Sequence, residues 1–331
     1  MSWKALKQIE RIPNLSAAEF EERFLKSEEP VIAEGAVKDW PACRRWTLDF
    51  LADQLQSTER NVPVASWAAP FDSLSCFRIK RMPVAQYLAN LRSGDSAWYG
   101  SNGWKFSIFP ALHDDINTPA FLGRYRVSQR NLWFSGAGAR FPTHYDSGSP
   151  YGLNAQIKGA KTFRLVSGAF LSDMYPVPGG NFSHVCNLRT PDFDKFPRLR
   201  SVTCWEGTMQ EGDVLFLPAN WFHYVEHLGE FNVNLQFWFS HPSALRSSVN
   251  PIVVRDAVVS RLSPYGLADQ ADPSKKSFLQ RLGAPEAFDS LVLLPLVNHF
   301  PSLVSRWASP PLRRMVRRKL QGGNGATPPS V

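Results

Sequence analysis

His144 and Asp146 stand two residues apart in Phe-Pro-Thr-His-Tyr-Asp, and His223 closes Leu-Pro-Ala-Asn-Trp-Phe-His. In an extended strand, residues i and i+2 project from the same face. An imidazole and a carboxylate at that spacing therefore grip one ion from one side, and a second histidine from another strand completes the set. Two histidines and one carboxylate leave the remaining coordination positions open, the facial arrangement that non-haem Fe(II) chemistry uses. A metal site at His144, Asp146 and His223, with the same three as its catalytic residues, is the first expectation.

The elements that must position these residues read as strands. Asn232, Asn234, Gln236 and Trp238 alternate with Val233, Leu235, Phe237 and Phe239, a two-sided strand with one apolar and one amide-rich face. Two readings of the amide face stand side by side: the lining of a polar barrel interior, or a solvated surface. Lys161 shares a period-2 face with Phe163 and Leu165, so it is either buried with them against an anion or snorkels to water from a strand end. Lys158, next to Gly159, reads as the exposed turn residue of a hairpin. Asp213 after Gly212 reads as turn chemistry. His227, four residues after His223, reads as a residue behind the metal ligands, a substrate contact or a plain structural residue, the first and last being preferred; His113, His184, His241 and His299 have no paired spacing.

Ser16-Ala-Ala-Glu19 is a capping-box pattern that predicts a helix over 15–27, and Thr47 opens another to Gln56. From about 60 to 240, short alternating strands separated by glycine, proline and aromatic residues predict an antiparallel jelly roll. The fold class is mainly β: a double-stranded β-helix with N-terminal helices and a C-terminal helical appendage.

Several stretches carry a resemblance in the same order along the chain. They are Pro30-Val-Ile-Ala-Glu-Gly35 with Trp40-Pro41, Asn131-Leu-Trp-Phe-Ser-Gly136, His144-Tyr-Asp146, and Gln156-Ile-Lys-Gly-Ala-Lys161. Pro191-Asp192 before Phe196-Pro197, and Gly212-Asp213 before Trp221-Phe-His223, complete the series. Over residues 30–240 the chain resembles the JmjC or cupin-like family of Fe(II)- and 2-oxoglutarate-dependent hydroxylases. The resemblance implies Fe(II) as metal, 2-oxoglutarate and O2 as cosubstrates, and hydroxylation of a carbon with release of succinate and CO2. It implies that Lys161 binds the distal carboxylate of 2-oxoglutarate, and that Asn131, Asn154, Gln236 and Trp238 are cosubstrate contacts or neighbours of them. Two positions depart from the pattern. Gly152 stands where several members have a cosubstrate-contacting asparagine, with Asn154 nearby, and Phe141 replaces a serine or threonine. The substrate reads as a protein side chain or small molecule; a metal-binding cupin without turnover and an RNA (tRNA base) hydroxylase are the alternatives. Substrate contacts are expected from loops 62–110 and 171–205.

Length and composition agree with one catalytic domain over 1–245, a helical region over 246–320 and a disordered tail over 321–331 of this 331-residue chain. The four cysteines show no metal-type or disulfide spacing, and the N-terminal segment has no apolar signal-peptide core, so the expected location is cytoplasmic, with a peripheral membrane association left open. Arg306, Arg313, Arg314, Arg317, Arg318 and Lys319 follow the apolar run 288–300 and supply most of the formal charge of +8. Three readings of this end remain: helices that form a homodimer, a segment resting on an anionic membrane surface, or a contact with RNA.

Overall fold

The computed structural model describes residues 2–67, 73–74, 77–94, 99–100, 103–136, 138–146, 150–177 and 181–240. The helical region 246–320, the tail 321–331, and with them the dimer, membrane and RNA readings of the basic end, lie outside the described residues. So do His241 and His299.

Two long strands form the axis of the fold. β10 (Tyr151–Val166) and β13 (Phe222–Phe239) run antiparallel over almost their whole lengths, from Tyr151 opposite Phe239 to Val166 opposite Phe222. Each long strand contributes to both halves of the barrel. In one half they are flanked by β12 (Val214–Leu217), which pairs with Gly152–Ala155, and by β8 (Val127–Gly136), which pairs with Phe231–Phe239. In the other half the flanks are β11 (Thr203–Met209) and β9 (Arg140–His144). Ten strands join in this sheet, extended at one edge by β3 (Val31–Glu34) and β2 (Glu10–Pro13), at another by β7 (Trp104–Lys105), and alongside β11 by β1 (Ala5–Gln8). This is the expected double-stranded β-helix, built from longer strands than the sequence predicts.

The hairpin expected at 156–161 is absent. The chain runs straight through, with register shifts between Gln156, Lys158 and Ala160, because Gly159 takes φ +70° and makes a bulge rather than a reversal. A Cβ on Gly159 would lie 2.4 Å from the Phe231 carbonyl oxygen, so only glycine lets the strands close here. Lys158 is accordingly half-buried within a strand and pairs with Glu211 at 3.3 Å, rather than standing exposed on a turn.

The amide strand is buried on both faces, which rejects the solvated reading. Val233, Leu235, Phe237 and Phe239 point outward against the N-terminal helices, in a core shared with Phe20, Trp46, Leu51 and Tyr87. Burying each such side chain stabilises the fold by about 1.5–3 kcal/mol. The helices follow their caps: Ser16 Oγ accepts from Glu19 N at 3.1 Å at the head of α1 (Ala17–Glu19), and Thr47 Oγ1 accepts from Phe50 N at 3.1 Å for α3 (Leu48–Leu55). The first helix departs from regular geometry: from Phe20 to Leu25 it is a π-helix, which buries Phe20, Phe24 and Leu25. Between these two helices lies α2 (Pro41–Arg45).

Region 62–110, expected as loops, holds much regular structure. β4 (Asn61–Trp67), β5 (Phe77–Pro83) and β6 (Tyr99–Gly100) form a separate antiparallel sheet, and α4 (Val84–Arg92) packs below it. Tyr87 of α4 donates its hydroxyl to the Phe134 carbonyl at 2.7 Å, tying this layer to the barrel. Asp213 serves the turn as expected and more widely: its carboxylate accepts from Gly35 N, Gln210 N and Arg11, each at 2.9 Å, and so locks β2, β3 and β12 together.

Candidate metal centre

β9 and β13 bring the two histidines face to face. His144 is directly opposite His223 in the ladder, with ring centroids 4.1 Å apart. Asn220 precedes this stretch in the left-handed region, φ 65°, a conformation asparagine tolerates better than most residues, and it turns the chain from β12 into β13. Asp146 follows β9, and ligand atoms of His144, Asp146 and His223 all lie within 4.8 Å of one another. The three residues predicted to share a metal are therefore together.

Each ligand is oriented from behind. His144 Nδ1–H donates to the Pro142 carbonyl at 2.7 Å and His223 Nδ1–H to the Trp221 carbonyl at 3.1 Å, with the tautomers that leave both Nε2 atoms as lone-pair donors. Asp146 Oδ2 accepts from Gln236 Nε2 at 3.0 Å. Gln236 in turn accepts from Asn131 Nδ2 at 3.4 Å, and Asn131 Oδ1 accepts from Gln129 Nε2 at 2.8 Å. A chain of amides thus runs from β8 through β13 to the carboxylate. Gln129 was not among the sequence candidates, although its place two residues before Asn131 puts it on the same strand face.

The electrostatics suit a cation. Burial holds His144 well below the usual histidine range, and the neighbouring His223 pushes in the same direction. Burial also lowers His223, against Asp146 and the Trp221 carbonyl, which favour its charged form. Both imidazoles are thus neutral near pH 7, as ligation requires. Burial raises Asp146, opposed by His223, Gln236 and Trp238. A divalent ion at this point would remove the burial penalty on the carboxylate.

Lys161 is the second marked feature. It is 2% exposed, its burial depresses its pKa to about 7, and no carboxylate pairs with it among the described residues. The snorkelling alternative is excluded, since the side chain is inside the barrel with Phe163 and Leu165. Asn154 Nδ2 and Asn234 Oδ1 are likewise buried without a hydrogen-bond partner. An interior whose buried ammonium meets the Phe163 ring and, among the described residues, no carboxylate, beside amide atoms without partners, fits a small polar anion near the metal. Asn154 Nδ2 lies 3.8 Å from where a Gly152 Cβ would stand. Trp238 is half-buried at the end of the amide face. Phe141 contributes no hydroxyl; its ring packs edge-on against His144, centroids 4.7 Å apart.

The other histidines divide as follows. His227 is inside the barrel, Nδ1 at 2.5 Å from Ser135 Oγ. His113 Nε2 contacts the Phe106 carbonyl at 3.2 Å, a structural role, and His184 is exposed.

A double-stranded β-helix whose interior joins two histidines and an aspartate defines a cupin-type metal-binding protein. Residues 17–245 match the cupin-like domain family, and the chain belongs to that family, whose JmjC-type members depend on Fe(II) and 2-oxoglutarate. The chain is 29% identical over 247 residues to Lysine-specific demethylase 8 of Xenopus tropicalis, covering 69% of this chain and 53% of that protein. It is 26% identical over 254 residues to Lysine-specific demethylase JMJ30 of Arabidopsis thaliana, covering 73% and 57%. To tRNA wybutosine-synthesizing protein 5 of Mus musculus it is 26% identical over 276 residues, covering 76% and 84%. The chain thus spans little more than half the length of these demethylases. No helix among the described residues is long and apolar enough to cross a membrane.

Proposed function

We propose that the protein is an Fe(II)- and 2-oxoglutarate-dependent dioxygenase that hydroxylates a carbon of a protein side chain or small molecule, with release of succinate and CO2. The observation that carries this reading is the occurrence, in one barrel, of the His144–Asp146–His223 triad and the buried ammonium of Lys161, which no carboxylate offsets among the described residues. His144, Asp146 and His223 would hold the iron, and Lys161 the distal carboxylate of 2-oxoglutarate through a charge-assisted hydrogen bond. Bound together, metal, cosubstrate and O2 supply the oxidising power for inserting one oxygen atom into a substrate C–H bond.

The chain's own part is positioning and exclusion. The Pro142 and Trp221 carbonyls hold both ligand imidazoles in the tautomer with Nε2 inward, while burial keeps them neutral. Gln236, steadied by Asn131, fixes one oxygen of Asp146. Phe141, edge-on, and Phe182, tilted, flank His144 and keep water from that side of the centre. No side chain needs to act as nucleophile.

The test is anaerobic protein reconstituted with Fe(II) and titrated with 2-oxoglutarate. A visible metal-to-ligand charge-transfer band, absent in His144→Ala, supports the reading; bound iron without the band refutes it in favour of a metal-binding cupin without turnover. One observation favours a second substrate class: the match to tRNA wybutosine-synthesizing protein 5 spans 84% of that protein. Succinate release stimulated by total tRNA and not by a peptide mixture would establish RNA hydroxylation in place of the side-chain reading.

A further inference from the structure

Beyond the triad and Lys161, the barrel interior contains one more buried ionisable side chain with no task in the chemistry above. His227 lies directly opposite Lys161 in the β10–β13 ladder, and both are nearly inaccessible, at 3% and 2% exposed. His223, Val225 and His227 share one face of β13; Lys161, Phe163 and Leu165 share the facing side of β10. Because His223 belongs to the metal set, this shared face is the inner one. Directly opposed residues in an antiparallel pair have Cβ atoms about 4.5–5.5 Å apart, so the imidazole and the ammonium occupy one neighbourhood.

That juxtaposition is unfavourable in an empty protein. Two basic groups share a dry interior, and the ammonium further lowers the pKa of an imidazole already depressed by burial. An ordinary core would place an apolar or small residue opposite a buried lysine. What makes the pair coherent is an anion accepting from both groups at once.

Ser135 supplies the orientation. Its hydroxyl, fully buried on β8, is 2.5 Å from His227 Nδ1. With the hydroxyl donating to Nδ1, the imidazole carries its proton on Nε2, where it is a hydrogen-bond donor. Lys161 is within electrostatic reach of His223 as well as His227, so the ammonium links the far histidine to the metal end of the barrel. Phe141, opposite Val225 on β9, presents only carbon to this space.

We propose that His227, oriented by Ser135, joins Lys161 as a second donor to the distal carboxylate of the dicarboxylate cosubstrate. This rests on the 2-oxoglutarate reading above and deepens it, by making His227 share with Lys161 the selection of a dicarboxylate over a monocarboxylate keto acid. His227 is a cosubstrate-positioning residue here, and Ser135 acts through it.

The experiment measures binding rather than turnover. Anaerobic Fe(II)-loaded full-length protein is titrated calorimetrically with 2-oxoglutarate and, separately, with 2-oxobutanoate, which chelates through the same keto and carboxylate oxygens but has no distal carboxylate. For His227→Ala, 2-oxoglutarate affinity falls by about tenfold or more while 2-oxobutanoate affinity is unchanged. His227→Gln, which keeps an N–H donor, retains more of the preference, and Ser135→Ala falls between parent and His227→Ala. The proposal is overturned if His227→Ala binds 2-oxoglutarate within twofold of the parent. It is also overturned if both keto acids weaken equally in the alanine and glutamine variants, since that reports damage to the barrel. A parent protein that binds neither compound removes the oxygenase reading itself, and the second donor falls with it; a parent that binds 2-oxoglutarate with an unaffected His227→Ala removes only the second donor.

Discussion

Lys161 is a residue whose burial is costly in the absence of a ligand. Its folded pKa is about 7 against an ordinary 10.5, and burial alone is the cause. For a base with a lowered folded pKa, the native state is penalised whenever the group must carry a proton. The penalty is fully present below about pH 7, fades as pH rises from 7 towards 10.5, and vanishes above. Lys161→Met should therefore be more stable than the parent at pH 6, by about 2–4 kcal/mol, with the advantage much reduced at pH 9.5. Urea denaturation at the two pH values measures this; equal stability at pH 6 would show the ammonium to be adequately solvated. Gln236 makes a second case at this scale, as it touches Asp146 and not the ion. Gln236→Leu should weaken metal binding roughly 10–100-fold, read by competition with a chelating dye, while His144→Ala should abolish it.

At the scale of elements, Gly159 decides whether β10 is one strand or a hairpin. Gly159→Ala meets the Phe231 carbonyl oxygen at 2.4 Å and forces a side chain into positive φ. The left-handed conformation alone costs roughly 1–2 kcal/mol, so a total loss of at least about 2 kcal/mol is expected, seen as a lower urea midpoint with an unchanged slope. The same residue explains a misreading. Lys-Gly between two apolar stretches has the local appearance of a turn, and nothing within the segment reveals that the partner strand continues past it. Caps were legible at Ser16 and Thr47 because their hydrogen bonds are local, to residues three positions on. β1 and β2 were not, since both are largely exposed edge strands without alternation. The triad was legible from the two-residue spacing of His144 and Asp146 and from motif order for His223, although β9 ends at His144 and Asp146 lies just beyond the strand. His227 and Ser135 were weakly visible, because the ladder that sets His227 opposite Lys161 and the side-chain hydrogen bond between Ser135 and His227 both join segments far apart in sequence.

For the whole molecule, the N-terminal helices and the metal centre grip the same strand from opposite sides. Val233, Leu235, Phe237 and Phe239 of β13 anchor on the helical layer, while Gln236 on its other face holds Asp146. Metal and fold are therefore coupled: an ion that binds only the native arrangement stabilises it by an amount set by its concentration relative to its dissociation constant. At a free metal concentration 100 times that constant, the gain is about 2.7 kcal/mol. In a domain of this size each kcal/mol raises Tm by about 2–4 °C, so Mn(II), used as a redox-stable stand-in for Fe(II), should raise the melting temperature by about 5–10 °C. His144→Ala removes the shift but, in the metal-free state, should melt at or slightly above the parent, because it deletes one of two buried imidazoles whose centroids are 4.1 Å apart. Differential scanning calorimetry with and without Mn(II) on both proteins tests the coupling. An equal shift in His144→Ala would place the stabilising ion elsewhere, and no shift in the parent would mean that the triad does not bind this divalent ion in the folded protein.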